Sequence, residues 1–133
     1  MQGKTQPSGL LPIAPERDLR AWEIAKDVVD QAIDLMLNLR QSGHPGGSRS
    51  KVHLLLAALL SGFFRWDIRD PGRRFADRFV LAAGHTTPLL YATLAVLAEA
   101  MRVTRARTGR AAYDVPPEQI VERSVAACIL LTQ

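Results

Sequence analysis

Asp77-Arg78-Phe79-Val80-Leu81-Ala82-Ala83-Gly84-His85-Thr86-Thr87-Pro88 decides how the rest of the chain is interpreted. Phe79 to Ala83 is a short apolar run with no polar residue, the pattern of a strand buried on both faces. Gly84-His85 interrupts it. Thr87-Pro88 then opens a helix, because proline at the first helical position gives up no donor the helix would use. Strand, turn and helix follow in that order. Ligands of open α/β sheets gather beyond the carboxyl ends of the strands, where His85 falls. The first turn of the following helix aims free N–H groups and the positive end of its dipole at the same place, which suits a phosphate.

Working outward, Trp22, Ala25, Val29, Ala32, Met36 and Leu39 recur at alternating steps of three and four, with charged residues on the other faces. That spacing predicts an amphipathic helix. Ser42-Gly43-His44-Pro45-Gly46-Gly47 ends it. A second helix is expected to start near Ser48 or Ser50, either of which can cap exposed N–H groups. From Ser50 to Phe64 it is apolar nearly all round, which implies burial on most sides. The polar stretch 65–78 contains Pro71-Gly72 and is expected to be a loop, and a third apolar helix should run from Leu89 to Met101. The chain then divides into a flexible arm over 1–17, a partial ligand-binding domain over 18–103, a linker over 104–117, and a helix or strand over 118–133.

The 133 residues weigh 14.6 kDa, the size of one domain, and 47% hydrophobic with 23% charged residues excludes global disorder. A single cysteine, Cys128, excludes an internal disulfide framework and a cysteine-rich zinc site. The longest apolar stretches are far too short for a membrane span, so a cytoplasmic protein is expected. The net charge is +4 and the pI about 9.8. Arg65, Arg69, Arg73, Arg74 and Arg78 are interleaved with Asp67, Asp70 and Asp77, as in a salt-bridged surface. Arg102, Arg105, Arg107 and Arg110 form a second group that carries no acid of its own. With only 6% aromatic residues and no recognisable nucleic-acid motif, these arginines do not make a nucleic-acid module.

Two segments therefore combine glycine, histidine and an approaching helix. In Ser42-Gly43-His44-Pro45-Gly46-Gly47 the glycines let backbone come near a ligand, and Pro45 stiffens the loop that presents His44. Gly84-His85 is the other. Arg49 or Lys51 could add a cation for an anionic group, although helix-end residues facing solvent are the plainer reading. His53 is expected to be a partly buried helix residue, and the spacing of the histidines does not suit zinc.

Taken in order, Ser42-Gly43-His44-Pro45-Gly46, Asp77-Arg78-Phe79-Val80-Leu81, Gly84-His85 and Leu89-Leu90-Tyr91 resemble the beginning of transketolase-type thiamine diphosphate enzymes. The resemblance runs from Leu19 to Leu97. It implies the family's α/β fold, present only in part, with this chain mostly helical and carrying one short buried strand. It also implies a catalytic role for His44 beside the substrate, and contacts of Gly84 and His85 with the cofactor's diphosphate. Enzymes of this kind transfer two-carbon ketol units, acting on sugar phosphates or 2-oxo acids with thiamine diphosphate and magnesium.

Three departures stand out. Thr86 replaces the small residue, often alanine, that commonly follows the second Gly-His. The family's magnesium motif, Gly-Asp-Gly with a downstream asparagine, has no counterpart, since Asn38 is the only asparagine and lies in the first helix. The second domain, which supplies a glutamate for the cofactor, does not fit in this length. The chain is thus expected to be a fragment or split subunit, inactive alone and binding neither thiamine diphosphate nor Mg2+ tightly. It would work with the remainder of the enzyme or a complementary subunit, in a homo-oligomer or heteromer. The alternative is a non-catalytic helical interaction or regulatory module derived from the same fold.

Overall fold

The computed structural model describes residues 16–40, 44–70 and 72–114. Among these residues four α-helices carry the fold: α1 (Glu16–Arg40), α2 (Pro45–Arg49), α3 (Val52–Leu60) and α4 (Thr87–Thr108). Single 3₁₀ turns occupy Gly84–Thr86 and Ala111–Tyr113. Helix α1 is the hub, packing against α2, α3 and α4. The predicted periodicity is realised there: Val29 and Ile33 are fully buried, with Ala25, Ala32 and Met36 packed beside them. Val52, Leu55 and Leu56 of α3, Leu89, Leu90, Ala92 and Leu94 of α4, and Ile68 of the long loop complete the core.

The second helix starts earlier than expected and is broken. Pro45 sits at its first turn, with His44 as the extended residue before it. A turn at Ser50–Lys51 separates α2 from α3, which ends at Leu60 rather than near Phe64. Nor is α3 buried on most sides: Leu54 is 74% exposed, and His53 is exposed rather than partly buried. Among the described helices α1 and α4 pack on α3, and Trp66 of the following loop donates to its Leu59 carbonyl, which leaves His53 and Leu54 uncovered.

Thr87-Pro88 opens α4 as predicted, and the helix runs on past Met101 to Thr108. The linker expected from Thr104 therefore begins in helix. Gly109, at φ 69°, takes the left-handed conformation that ends α4, and its N–H closes on the Arg105 carbonyl at 2.9 Å. Arg102 does find an acid, Glu99, one turn back, with bonds of 2.7 and 2.5 Å. Most of the expected arm over 1–17, and the terminal helix or strand over 118–133, lie outside the described residues; Glu16 and Arg17 belong to α1 and not to an arm.

The buried strand is not seen. No strand occurs among the described residues, and Phe79–Ala83 has no ladder. Phe79 and Leu81 are half-buried against the core, whereas Val80 and Ala82 are exposed. This alternation is that of a segment laid with one face on helices. A parallel strand becomes buried on both faces only when neighbouring strands pair its edges and helices cover it. The described residues supply neither neighbour, so the fold they build is helical.

Candidate functional site

Helix α2 brings the two histidine segments together, because it contacts the 3₁₀ turn and the start of α4. Gly47 is the point of closest approach. A Cβ built there would lie 3.4 Å from Thr86 Cγ2 and 3.5 Å from His85 Nε2, so any larger side chain would press on the second motif. Gly46 lies under the first: a Cβ there would stand 3.1 Å from His44 Nε2. Both imidazoles are exposed and reachable by a ligand.

The turn that carries His85 is fastened by its neighbours. Thr86 is fully buried; its N–H and Oγ1 both donate to the Ala83 carbonyl, at 2.9 and 2.7 Å. Thr87 Oγ1 donates to the Gly84 carbonyl. The threonine that departs from the family's usual small residue thus plugs the space under Gly47 and pins the turn. Gly84 itself faces open space, with nothing within 4 Å of a Cβ position. No side chain caps the N-terminus of α4, but the free first-turn N–H groups expected from the sequence are mostly missing: Thr87 N–H donates to the Gly84 carbonyl and Pro88 has no N–H.

Neither cation singled out in the sequence is offered to an anion. Arg49 reaches back to α1, 3.4 Å from Asp34 and 3.7 Å from Asp30. Lys51 Nζ donates to the Gly47 carbonyl at 2.7 Å, where Ser50 Oγ also donates at 3.2 Å. They hold α2 in place. Asp30 anchors this arrangement: it is buried, pairs with Lys26 at 3.0 Å, and raises the Lys26 pKa through their hydrogen bond, with Asp27 contributing next. The Lys26–Asp30 pairing is visible in the sequence as an i,i+4 spacing. Its extension to Arg49 is a tertiary contact that no local pattern announces.

Chemically, the junction offers two exposed imidazoles, close glycine backbone and the positive end of the α4 dipole, a set that suits a diphosphate. It does not fit magnesium. Among the described residues no three His, Cys, Asp or Glu side chains converge on a possible metal position.

A family described as transketolase, thiamine diphosphate binding domain, matches residues 23–115, which include both histidine segments. The chain belongs to this family. Over 73 residues, 55% of its length, it is 36% identical to a transketolase from Rhodobacter capsulatus, of which it spans only 11%. No solved structure gives a significant match. Among the described residues, no helix is long and apolar enough to cross a membrane.

Proposed function

We propose that this chain forms the diphosphate side of a thiamine diphosphate site in a transketolase-like enzyme of the cytoplasm, one that transfers two-carbon ketol units. The reading rests on family membership and above all on the approach of Gly47 to His85 Nε2, which joins two motifs 41 residues apart around exposed imidazoles. Residues 18–103, with the last turn of α4, are the binding part, and the linker after that turn leads to the remainder of the enzyme.

Gly84 leaves room beside the turn, and His85 donates an N–H to a phosphate oxygen. The first turn of α4 adds the favourable end of its dipole. His44, at the start of α2, is the catalytic histidine: it hydrogen-bonds a substrate hydroxyl or oxyanion of a sugar phosphate or 2-oxo acid. Thiamine diphosphate, when bound, supplies the carbon–carbon chemistry that side chains lack. Magnesium needs oxygen ligands that the described residues do not assemble, so these must come from the remainder of the enzyme or a complementary subunit. Leu54 and Val80, exposed on the isolated chain, are surfaces for the same partner, in a homo-oligomer or heteromer. No observation favours a non-catalytic module.

Calorimetric titration of the chain with thiamine diphosphate and Mg2+ tests this reading. No saturable binding in the micromolar range is expected, and no ketol transfer. Micromolar binding by the chain alone would overturn the account of the metal site. In an assembled enzyme containing this segment, His85→Ala should raise the cofactor's KM, whereas His44→Ala should lower kcat and leave that KM unchanged. If the two variants behave alike, the assigned division of roles is wrong.

A further inference from the structure

The loop between α3 and the 3₁₀ turn closes on itself. Arg65 N–H donates to Asp77 Oδ2 at 2.7 Å, Asp77 N–H donates to the Arg65 carbonyl at 2.9 Å, and the Arg65 guanidinium meets Asp77 Oδ1 at 3.2 Å. This neck gathers Arg65, Trp66, Arg73, Arg74, Phe75 and Ala76 around an open cleft of about 440 Å³. The volume lies within the roughly 300–1,000 Å³ usual for small-molecule sites.

The lining is unusual in its aromatic rings and in its charge. The Trp66 indole N–H donates to the Leu59 carbonyl at 3.3 Å, which holds that ring as a fixed wall. Phe75 is 82% exposed and its φ is 63°, so an apolar ring stands in water on a left-handed backbone that bulky residues avoid. The Arg74 guanidinium lies 5.0 Å from the Phe75 ring centroid.

Charge is not balanced inside the cleft. Arg65 is matched by Asp77, and Arg69 by Asp67 at 2.6 Å. Asp67 also feels Arg73 at longer range, but its oxygens are already bonded to Arg69. Among the described residues neither Arg73 nor Arg74 forms an ion pair. Two guanidiniums without carboxylates, beside two accessible rings, match a flat aromatic group that carries an anion. The rings stack on the flat part, and the guanidiniums take a phosphate by charge-assisted, paired hydrogen bonds.

We propose that this cleft binds a nucleoside monophosphate or an aromatic anion of the same form. A bare phosphate would leave the rings unused, and a neutral aromatic would leave both guanidiniums unpaired. The site uses none of the residues assigned to the diphosphate, so it stands or falls independently of that reading.

Equilibrium dialysis of the full chain against AMP, adenosine, inorganic phosphate and a short single-stranded oligonucleotide tests the proposal. AMP should bind saturably at one site, with adenosine and phosphate each about tenfold weaker or more. A double variant, R73Q with R74Q, should weaken AMP about tenfold, and His85→Ala should have no effect. Phe75→Gly is the most telling variant. Glycine accepts the left-handed backbone, so its melting temperature should not fall, while AMP binding weakens. Absence of saturable AMP binding at millimolar concentration would overturn the proposal, as would phosphate binding equal to AMP. So would insensitivity to these substitutions, or an oligonucleotide binding more than tenfold tighter than AMP, which would mark a nucleic-acid surface instead.

Discussion

Gly47 comes so near the second motif that a Cβ on it would touch Thr86 and His85, whereas Val80, a few residues before that turn, is 56% exposed and pairs with no strand among the described residues. Both positions belong to segments that carry the family resemblance. They differ in where their partners are. The histidine junction is built from α2, the 3₁₀ turn and α4, all supplied by this chain and fixed against α1. The run Phe79–Ala83 calls for neighbouring strands, which the described residues do not contain, so it settles for half-burial of alternate side chains on the helical core. A motif is formed to the extent that its contacts are internal.

The largest effect that separates the two regions is on stability. Leu56, 2% exposed in the core, should cost about 2–5 kcal/mol on truncation to alanine. Val80→Ala should stay within about 0.5 kcal/mol. Denaturant unfolding of the two variants compares them directly. If Val80→Ala were as costly as Leu56→Ala, the apolar run would be buried in solution and the strand would exist after all.

The same division governs what can be read from the sequence. Helix α1 is legible because its stripe is local, and the start of α4 because Thr87-Pro88 is a local signal. The end of α4 is not, because the arginines after Met101 read as a linker, although Gly109 is the residue that stops the helix. For α3, an apolar surface all round implies burial all round, yet exposure is set by which neighbours exist. The resemblance names His44 and His85 as functional, but it does not say that Arg49 and Lys51 are spent on holding α2. Nor does it point to the cleft at Arg73–Phe75, whose strained phenylalanine leaves no mark in composition or spacing.

Asp30 offers the next test, because it ties the junction to the hub. Its carboxylate is buried, pairs with Lys26 at 3.0 Å and Arg49 at 3.7 Å, and leaves Oδ1 without a partner. Asp30→Ala should lower global stability by about 1–2 kcal/mol. Hydrogen exchange should show α2 losing slightly more protection than α4, since Arg49 of α2 loses one of its two carboxylates on α1 and keeps Asp34. Uniform loss across all helices would mean that Asp30 supports the core in general and does not specifically seat α2.

Acid should separate the loop from the helices by a smaller margin. Asp77 is held below the usual carboxylate range, first by the Arg65 backbone N–H and then by the Arg65 side chain; Asp67 is lowered mainly by the Arg69 side chain. A carboxyl depressed in the folded state contributes fully above its unfolded value, near 3.9, and its contribution is lost as pH falls through the lower folded value. The neck between Arg65 and Asp77 should therefore loosen only below about pH 4. The indole N–H resonance of Trp66 reports it, and Asp77→Asn should leave the neck loosened at neutral pH. Loosening already near pH 6 would implicate a histidine instead.

The smallest effect is the most local. At Gly46 a methyl group would stand 3.1 Å from His44 Nε2, the far end of an exposed side chain that can swing away. Alanine in place of a helical glycine gains up to about 1 kcal/mol, less in a helix as short as α2, and displacing the ring takes back part of it. Gly46→Ala should consequently change stability by no more than about 0.5 kcal/mol while shifting the His44 imidazole resonances and leaving those of His85 in place. Gly47→Ala should do the reverse, because the atoms nearest its methyl are Thr86 Cγ2 at 3.4 Å and His85 Nε2 at 3.5 Å. If neither substitution moves its own histidine, the glycines do not place the rings. The junction would then be a by-product of how α1 and α4 pack, and its resemblance to a ligand site would lose its physical support.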